Sequence, residues 1–249
     1  MRPVSWATCA AVSFALSTAT RAADLEQQTP VQTVGFYALA IGINGDMGVG
    51  GSSAHVDMSA SDALDDLDFG ARGFYRYQAG RWALQVDVIY NSLTGKEAES
   101  PAGARVAVDL DQAMIGVDAR YQLQQVLELI IGARYWDYDV AIFGPEPGAA
   151  AQPTSAGQEW VDPLIGARVT IPLGSNWEVV GRGDIGGFGV GSDSSWHATA
   201  FFDWKATDQF SVLFGYRAFD VDFEDGSGAG RFALDIRQSG PAIGMSLSF

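Results

Sequence analysis

The chain has two histidines, His55 and His197. Asp193, Ser194 and Ser195 precede His197 closely, so the residue types of a nucleophilic hydrolase share one short stretch. Triad partners are normally assembled by the fold, not by adjacency, and no spacing motif specific to such enzymes is present. An ordinary histidine near a rim is the favoured reading, and the chain is not expected to be an enzyme. Asp220-Val-Asp222-Phe-Glu224-Asp225-Gly226 offers hard oxygen ligands suited to Ca²⁺, but without the EF-hand spacing. It reads as a solvated acidic loop. Gly181-x-Gly183-x-x-Gly186 matches a dinucleotide fingerprint by letters only, inside a strand pattern with no helix after it. The single cysteine, Cys9, lies near the N-terminus. Disulfides, thiolate metal sites and a cysteine nucleophile are therefore excluded from the rest of the chain. No cofactor and no metal is expected.

The larger chemical set is ionic. Arg72, Arg76, Arg120, Arg134, Arg168, Arg182 and Arg217 fall on one parity of segments that read as strands. Asp87, Asp118, Glu128, Asp162, Glu178, Asp184 and Asp203 fall on the same parity. Charges facing a narrow interior are costly unless paired. Near-balance of sign implies an ion-paired network that fills the interior. The alternative is a charge-lined pore for small solutes.

The elements that must hold these charges are strands. The last stretch sets the pattern: Pro241, Ile243, Met245, Leu247 and Phe249 on one face, Gly240, Ala242, Gly244, Ser246 and Ser248 on the other. Apolar residues outward and small or polar residues inward describe a transmembrane β-barrel strand. Similar segments are predicted at Gly35–Val49, Phe69–Gln78, Arg81–Asn91, Ala104–Leu123 and Val126–Ile142. Others follow at Glu159–Ile171, Trp177–Val190, Trp196–Lys205, Gln209–Asp220 and Arg231–Phe249. In the first of them Tyr37, Leu39, Ile41, Ile43, Met47 and Val49 share the large apolar face.

Short connectors (Ala79-Gly80, Gln124-Gln125, Pro172–Asn176, Ala206–Asp208) alternate with longer ones. Outer-membrane barrels show this asymmetry, with short periplasmic turns and longer extracellular loops. The expected fold is all-β: an antiparallel up-and-down transmembrane barrel of about ten strands, with eight as the alternative. A soluble sandwich would have no reason to sort its connectors by length. The longest connector, Gly50–Asp68, holds a Ser-x-x-Asp start at Ser59 that suggests a short capped helix up to Leu67.

Aromatic residues cluster at both strand ends. Tyr77, Trp82, Tyr121, Trp177, Trp204, Phe210 and Phe249 lie by the short turns, and Phe69, Tyr90, Tyr135 and Trp196 lie near the other end. Two such bands fit headgroup girdles. Two strands change pattern along their length. Val106, Val108 and Leu110 occupy the parity that later carries Asp118 and Arg120, and Phe232, Leu234 and Ile236 the parity of Gly244 and Ser246. Either the upper residues protrude above the bilayer, which needs only about 9–11 residues per strand, or a bulge intervenes, with Gly240-Pro241 as its site.

Composition agrees with export. Residues 1–22 read as a signal peptide: Arg2, then a small and apolar run from Val4 to Ala19, then Thr20-Arg21-Ala22 for cleavage before Ala23. Residues 23–34 form a polar periplasmic lead-in and 35–249 the barrel. Over 249 residues the formal net charge is −15, which argues against a nucleic-acid partner. Mean hydropathy is only +0.06, as suits a barrel that shows lipid every second residue.

Gly132-Ala-Arg-Tyr-Trp-Asp137, Gly181 to Gly191, Gly215-Tyr-Arg217 and the final Ser246-Leu-Ser-Phe249 give most of the chain past the signal peptide a resemblance to a family. The chain resembles the small outer-membrane β-barrels of the OmpA-barrel/opacity-protein superfamily. The resemblance implies outer-membrane location, contact with lipid and lipopolysaccharide, and recognition of the strand ending at Phe249 by the barrel-assembly machinery. It implies no single activity. The expected role is a structural or surface-interaction barrel with a largely closed lumen. A narrow passive channel is the second reading and a rim hydrolase the third.

Overall fold

The computed structural model describes residues 29–61, 67–144 and 153–249. The segment expected to be a signal peptide, most of the expected helix after Ser59 and the middle of the Gly/Pro/Ala-rich connector lie outside the described residues. Twelve strand segments follow one another: β1 (Val31–Leu39), β2 (Gly42–Val49), β3 (Ser52–Met58), β4 (Leu67–Ala79), β5 (Trp82–Glu99) and β6 (Arg105–Gln124). They continue as β7 (Leu127–Phe143), β8 (Thr154–Pro172), β9 (Trp177–Gly186), β10 (Ser194–Lys205), β11 (Phe210–Asp225) and β12 (Phe232–Ser248).

These segments make a closed antiparallel barrel of ten strands. β1 and β2 are one barrel strand. Both pair with β12 in a single register, Thr33 opposite Ser248 at one end and Val49 opposite Phe232 at the other. The ladder thins at Ala40 because Pro241, opposite it, has no N–H to donate, although Ala40 N still donates to Pro241 O at 3.0 Å. β3 and β4 together supply the second strand. β4 lies between β1 and β5, and β3 continues the wall between β2 and the end of β5. Part of the expected long first connector, Ser52–Met58, is thus folded into the wall.

Several expected boundaries move. The barrel begins at Val31, inside the segment read as a lead-in. β9 stops at Gly186, and β10 starts at Ser194. No bulge occurs at Gly240-Pro241, since β11 and β12 stay in register from Phe210–Leu247 to Asp225–Phe232. The register does slip in β5, where two residues between Leu93 and Lys96 stand against Asp109 alone. Gly95 takes a φ of +67° there and its N–H donates to Asp109 Oδ1 at 2.6 Å.

Parity is therefore unbroken in β6 and β12, and the environment changes instead. In β12, Phe232, Leu234, Ile236, Gln238, Ala242 and Ser246 all point inward and are buried. Outward come Asp235 and Arg237, then Pro241, Ile243, Met245 and Leu247. β6 repeats this, with Val106, Val108 and Leu110 buried, Asp109 and Asp111 outside them, and Ile115 and Val117 exposed lower down. The half near the short turns has an apolar exterior and a polar interior. The half near the long connectors has the reverse. The large apolar face of the first strand follows suit: Leu39, Ile41, Ile43, Met47 and Val49 turn into the barrel and are buried, not toward lipid.

The exposed apolar belt runs from Trp82 to Tyr90 on β5, from Leu127 to Tyr135 on β7 and from Pro241 to Phe249 on β12. That length matches the roughly 9–11 residues of a membrane-crossing strand. Rings meet beside the turns, Trp82 with Tyr121 (centroids 4.9 Å apart) and Trp177 with Trp204 (6.1 Å). β5 to β8 run on to 17–20 residues, so nearly half of each stands beyond the belt.

Candidate functional site

All twelve charged residues singled out as a lumen network point into the barrel. The structure sorts them into clusters, each centred on a carboxylate. Glu128 accepts hydrogen bonds from Arg76 and, at 2.9 Å, from Arg168. Asp118 accepts from Arg120 Nε at 2.6 Å and from Arg182 Nη1 at 2.8 Å. Asp184 accepts from Arg134 at 2.6 Å and from Arg182 Nε at 2.8 Å, so Arg182 ties two clusters together. Asp87 accepts from Tyr37 Oη at 3.0 Å and faces Arg217 at 3.4 Å. Each carboxylate has at least two donors, which is what a buried charge requires.

Two of the twelve stand apart from this pairing. Arg72 donates to the Asn91 side chain, which donates to Gln112 at 2.8 Å, which donates to Tyr138 Oη at 2.7 Å. This chain, neutral beyond Arg72, climbs across β4, β5, β6 and β7. Asp162 is fully buried and takes four donors without a cation: Trp136 Nε1 at 2.9 Å, Ser192 N at 2.7 Å, Ser192 Oγ at 2.5 Å and Ser195 Oγ at 3.0 Å. It pins the β9–β10 loop, where Phe188 holds a left-handed φ of 54° and Val190 is exposed. The other two acids read as lumen-facing, Glu178 and Asp203, do face inward; Glu178 accepts from Lys205 at 2.5 Å near the turns.

Above these layers the interior is closed by side chains. Trp136, Tyr138 and Trp160 stack in series, Trp160 lies 3.8 Å from the Phe223 ring, and Phe232, Leu234, Ile236, Met47 and Ile43 fill the remainder. β2 packs directly against β7 and β8, so this half is collapsed like a sandwich, not open. Below the network, a cavity of about 910 Å³ reaches the short turns, bounded at its mouth by Ser175, Asn176 and Thr207. The barrel is a cup with one closed end.

The histidines part company. His55 points outward, with Nδ1 2.9 Å from Asp46 Oδ1. His197 is not at a rim. It is 3 % exposed inside the barrel, stacked on Phe219 at 4.7 Å, with Nδ1 3.1 Å from Asp184 Oδ2. Ser195 serves Asp162, and Asp193 holds Asp222 O through its backbone, so the sequence neighbours of His197 are not its partners. Sequence reading put Asn91 on the inward face without giving it a partner, and missed Tyr37, Gln112 and Tyr138. The last two share the inward parity of the arginines in their strands, which was the available signal.

The exterior of the closed half is acidic. Asp220, Asp222 and Glu224 lie on the outer face of β11, not in a loop, and Asp46, Asp109, Asp139 and Asp235 lie on neighbouring faces. Partial burial and the carboxylates of Asp235, Asp193 and Asp220 push Asp222 above the usual carboxylate range. Asp137 is raised likewise, by partial burial, Asp139 and Glu159. Tyr135 Oη donates to Glu159 at 2.6 Å. Among the described residues no group of acids and histidines is arranged to hold a metal ion.

No family model matches the chain, and no curated protein matches it. Solved structures do. The translocator domain of the autotransporter NalP from Neisseria meningitidis aligns over 98 % of both chains at 12 % identity, with a TM-score of 0.44. The attachment invasion locus protein Ail of Yersinia pestis aligns over 90 % of this chain and 100 % of its own, at 8 % identity and a TM-score of 0.35. The toluene transporter TbuX of Ralstonia pickettii aligns over 90 % of both chains at 8 % identity and a TM-score of 0.37.

Proposed function

We propose that the protein is a non-enzymatic outer-membrane barrel with a structural and surface-interaction role. The short turns lie in the periplasm, and the long connectors stand outside the cell. The apolar belt seats in the bilayer, and the acidic half projects beyond it toward lipopolysaccharide, whose phosphates it meets through divalent cations. Residues 1–22 direct export, and the C-terminal strand ending at Phe249 presents the chain to the assembly machinery. The OmpA-barrel/opacity resemblance agrees with this placement.

One observation carries the reading against a channel: the stacked Trp136, Tyr138 and Trp160 and the packed Phe232, Leu234 and Ile236 close the interior beyond the ion pairs. Ions crossing this layer would lose their hydration against close-packed rings and aliphatic side chains. The test is conductance of the refolded protein in a planar bilayer, after heat-modifiable gel mobility has verified folding. Electrical silence is expected. Discrete steps that change on Asp184→Ala would replace this reading by a narrow channel.

A further inference from the structure

The cup at the turn end has a use that a closed structural barrel does not need. Its volume, about 910 Å³, suits a small ligand. The inner end is lined by Arg76, Arg120, Arg168, Arg182 and Arg217. The carboxylates that hold most of these arginines, Asp118, Glu128 and Asp184, do not line the cavity; Asp87 does at this end, and Asp203, Asp208 and the Lys205-paired Glu178 do nearer the turns. The cavity thus meets guanidinium edges whose other edges are already oriented by ion pairs. Such preorganised forks match the two oxygens of a carboxylate or phosphate.

Two further features point to a ligand. His197 and Arg217 line the same inner end and are almost fully buried, yet His197 Nε2 and Arg217 Nε have no hydrogen-bond partner. Buried polar atoms are seldom left unpaired. The wall beside them is partly apolar, with Phe74, Val180, Phe201 and Leu213 facing the space.

We propose that this cup binds a small organic oxyanion, a carboxylate or phosphate bearing a short apolar body, entering from the turn end. The arginines take the charged group and the Phe74–Phe201 side takes the apolar part. The proposal extends beyond the structural reading and is independent of what the opposite half touches. Two sources share this chemistry, a free solute or the headgroup of an anionic lipid.

The chain provides its own reporter, because it has two histidines, one in the cup and one on the outer face. Histidine-selectively ¹⁵N-labelled protein in phosphatidylcholine nanodiscs would be titrated with benzoate and with inorganic phosphate, and His55→Gln would assign the signals. The expected result is a saturable shift of the His197 resonances with His55 unmoved, and benzoate binding tighter than phosphate. Arg168→Gln, folded by heat-modifiable mobility, should weaken benzoate about tenfold, equivalent to roughly 1.4 kcal/mol. A His197 shift produced by phosphatidylglycerol nanodiscs alone would support the site and identify lipid as the source. Shifts that are equal at both histidines, or absent at His197 with both anions and with phosphatidylglycerol, would overturn the proposal. Conductance tests the closed end separately, so either result can fail without the other.

Discussion

The two halves of this barrel use one backbone and opposite solvents. In the turn half, β12 shows Ile243, Met245 and Leu247 outward and keeps Gly244 and Ser246 inside. In the connector half the same strand shows Asp235 and Arg237 outward and buries Leu234 and Ile236. Cohesion differs accordingly. The connector half is held by the hydrophobic effect, as in a soluble sandwich. The turn half gains little from burying its apolar faces in lipid beyond seating itself there, and its interior coheres by charge-assisted hydrogen bonds. The difference teaches that alternation along a strand reports which residues share a face, and that a second fact is needed to say which face is inside.

The sharpest way to break this comparison is one substitution made on adjacent, opposite-facing residues. Leu234→Asp puts a carboxylate into the packed interior of the connector half and should cost more than about 4 kcal/mol, enough to abolish the heat-modifiable folded band. Asp235→Leu, one residue on, should stay within about 0.5 kcal/mol of the parent in urea unfolding. Equal behaviour of the two would end the idea of an inverted interior. In the turn half, Asp184→Asn leaves Arg134 without its carboxylate and Arg182 with Asp118 alone, and about 3–5 kcal/mol should be lost from the urea-unfolding free energy. At the junction, Asp162→Asn keeps the shape but removes acceptor capacity for Trp136, Ser192 and Ser195. About 1–3 kcal/mol is expected there. Chymotrypsin should also cut after Phe188 faster than in the parent. Unchanged cleavage would mean that the loop does not depend on Asp162.

The smallest effect is the pH response of the acidic exterior. Asp137 and Asp222 hold their protons more tightly in the folded barrel than a free carboxyl does. For such groups the folded state binds more protons than the unfolded state, so stability rises as pH falls. The rise occurs as pH drops through the raised values and is complete below the ordinary carboxylate range. A small upward shift of the urea midpoint is expected across that interval, diminished in Asp222→Asn. A downward shift retained in the variant would show that other groups control the response.

Much of this was legible from residue order. The inward parity of Arg120 and Asp118, of Arg134 and of Arg182 and Asp184 followed from alternation, as did the ten-strand count and the short turns. The change of character in β6 and β12 was visible too, at Leu110 and Ile236, but alternation could not decide between a bulge and a change of surroundings. For β1 and β2 the same ambiguity hid an inward apolar face, because Leu39 to Val49 look alike whether they meet lipid or Phe232. The partner of His197 was unreadable, since Asp184 lies across a β9–β10 hairpin whose register only the fold fixes.

The polar skin of the connector half also bears on assembly. A strand such as β11 carries Asp220, Asp222 and Glu224 at the end that finishes farthest from the turns. If the turns stay on the side from which the chain arrives, each hairpin must drag such carboxylates through hydrocarbon before its apolar stretch can settle. An acidic residue at mid-bilayer costs roughly 2.5–3.5 kcal/mol on an insertion scale, and several cross together. Uncatalysed insertion into a pure lipid bilayer is therefore expected to be slow for this chain, and its rate to increase when the protruding carboxylates are shortened away or neutralised by acid. The acidic skin of the finished barrel is, on the way in, its kinetic barrier.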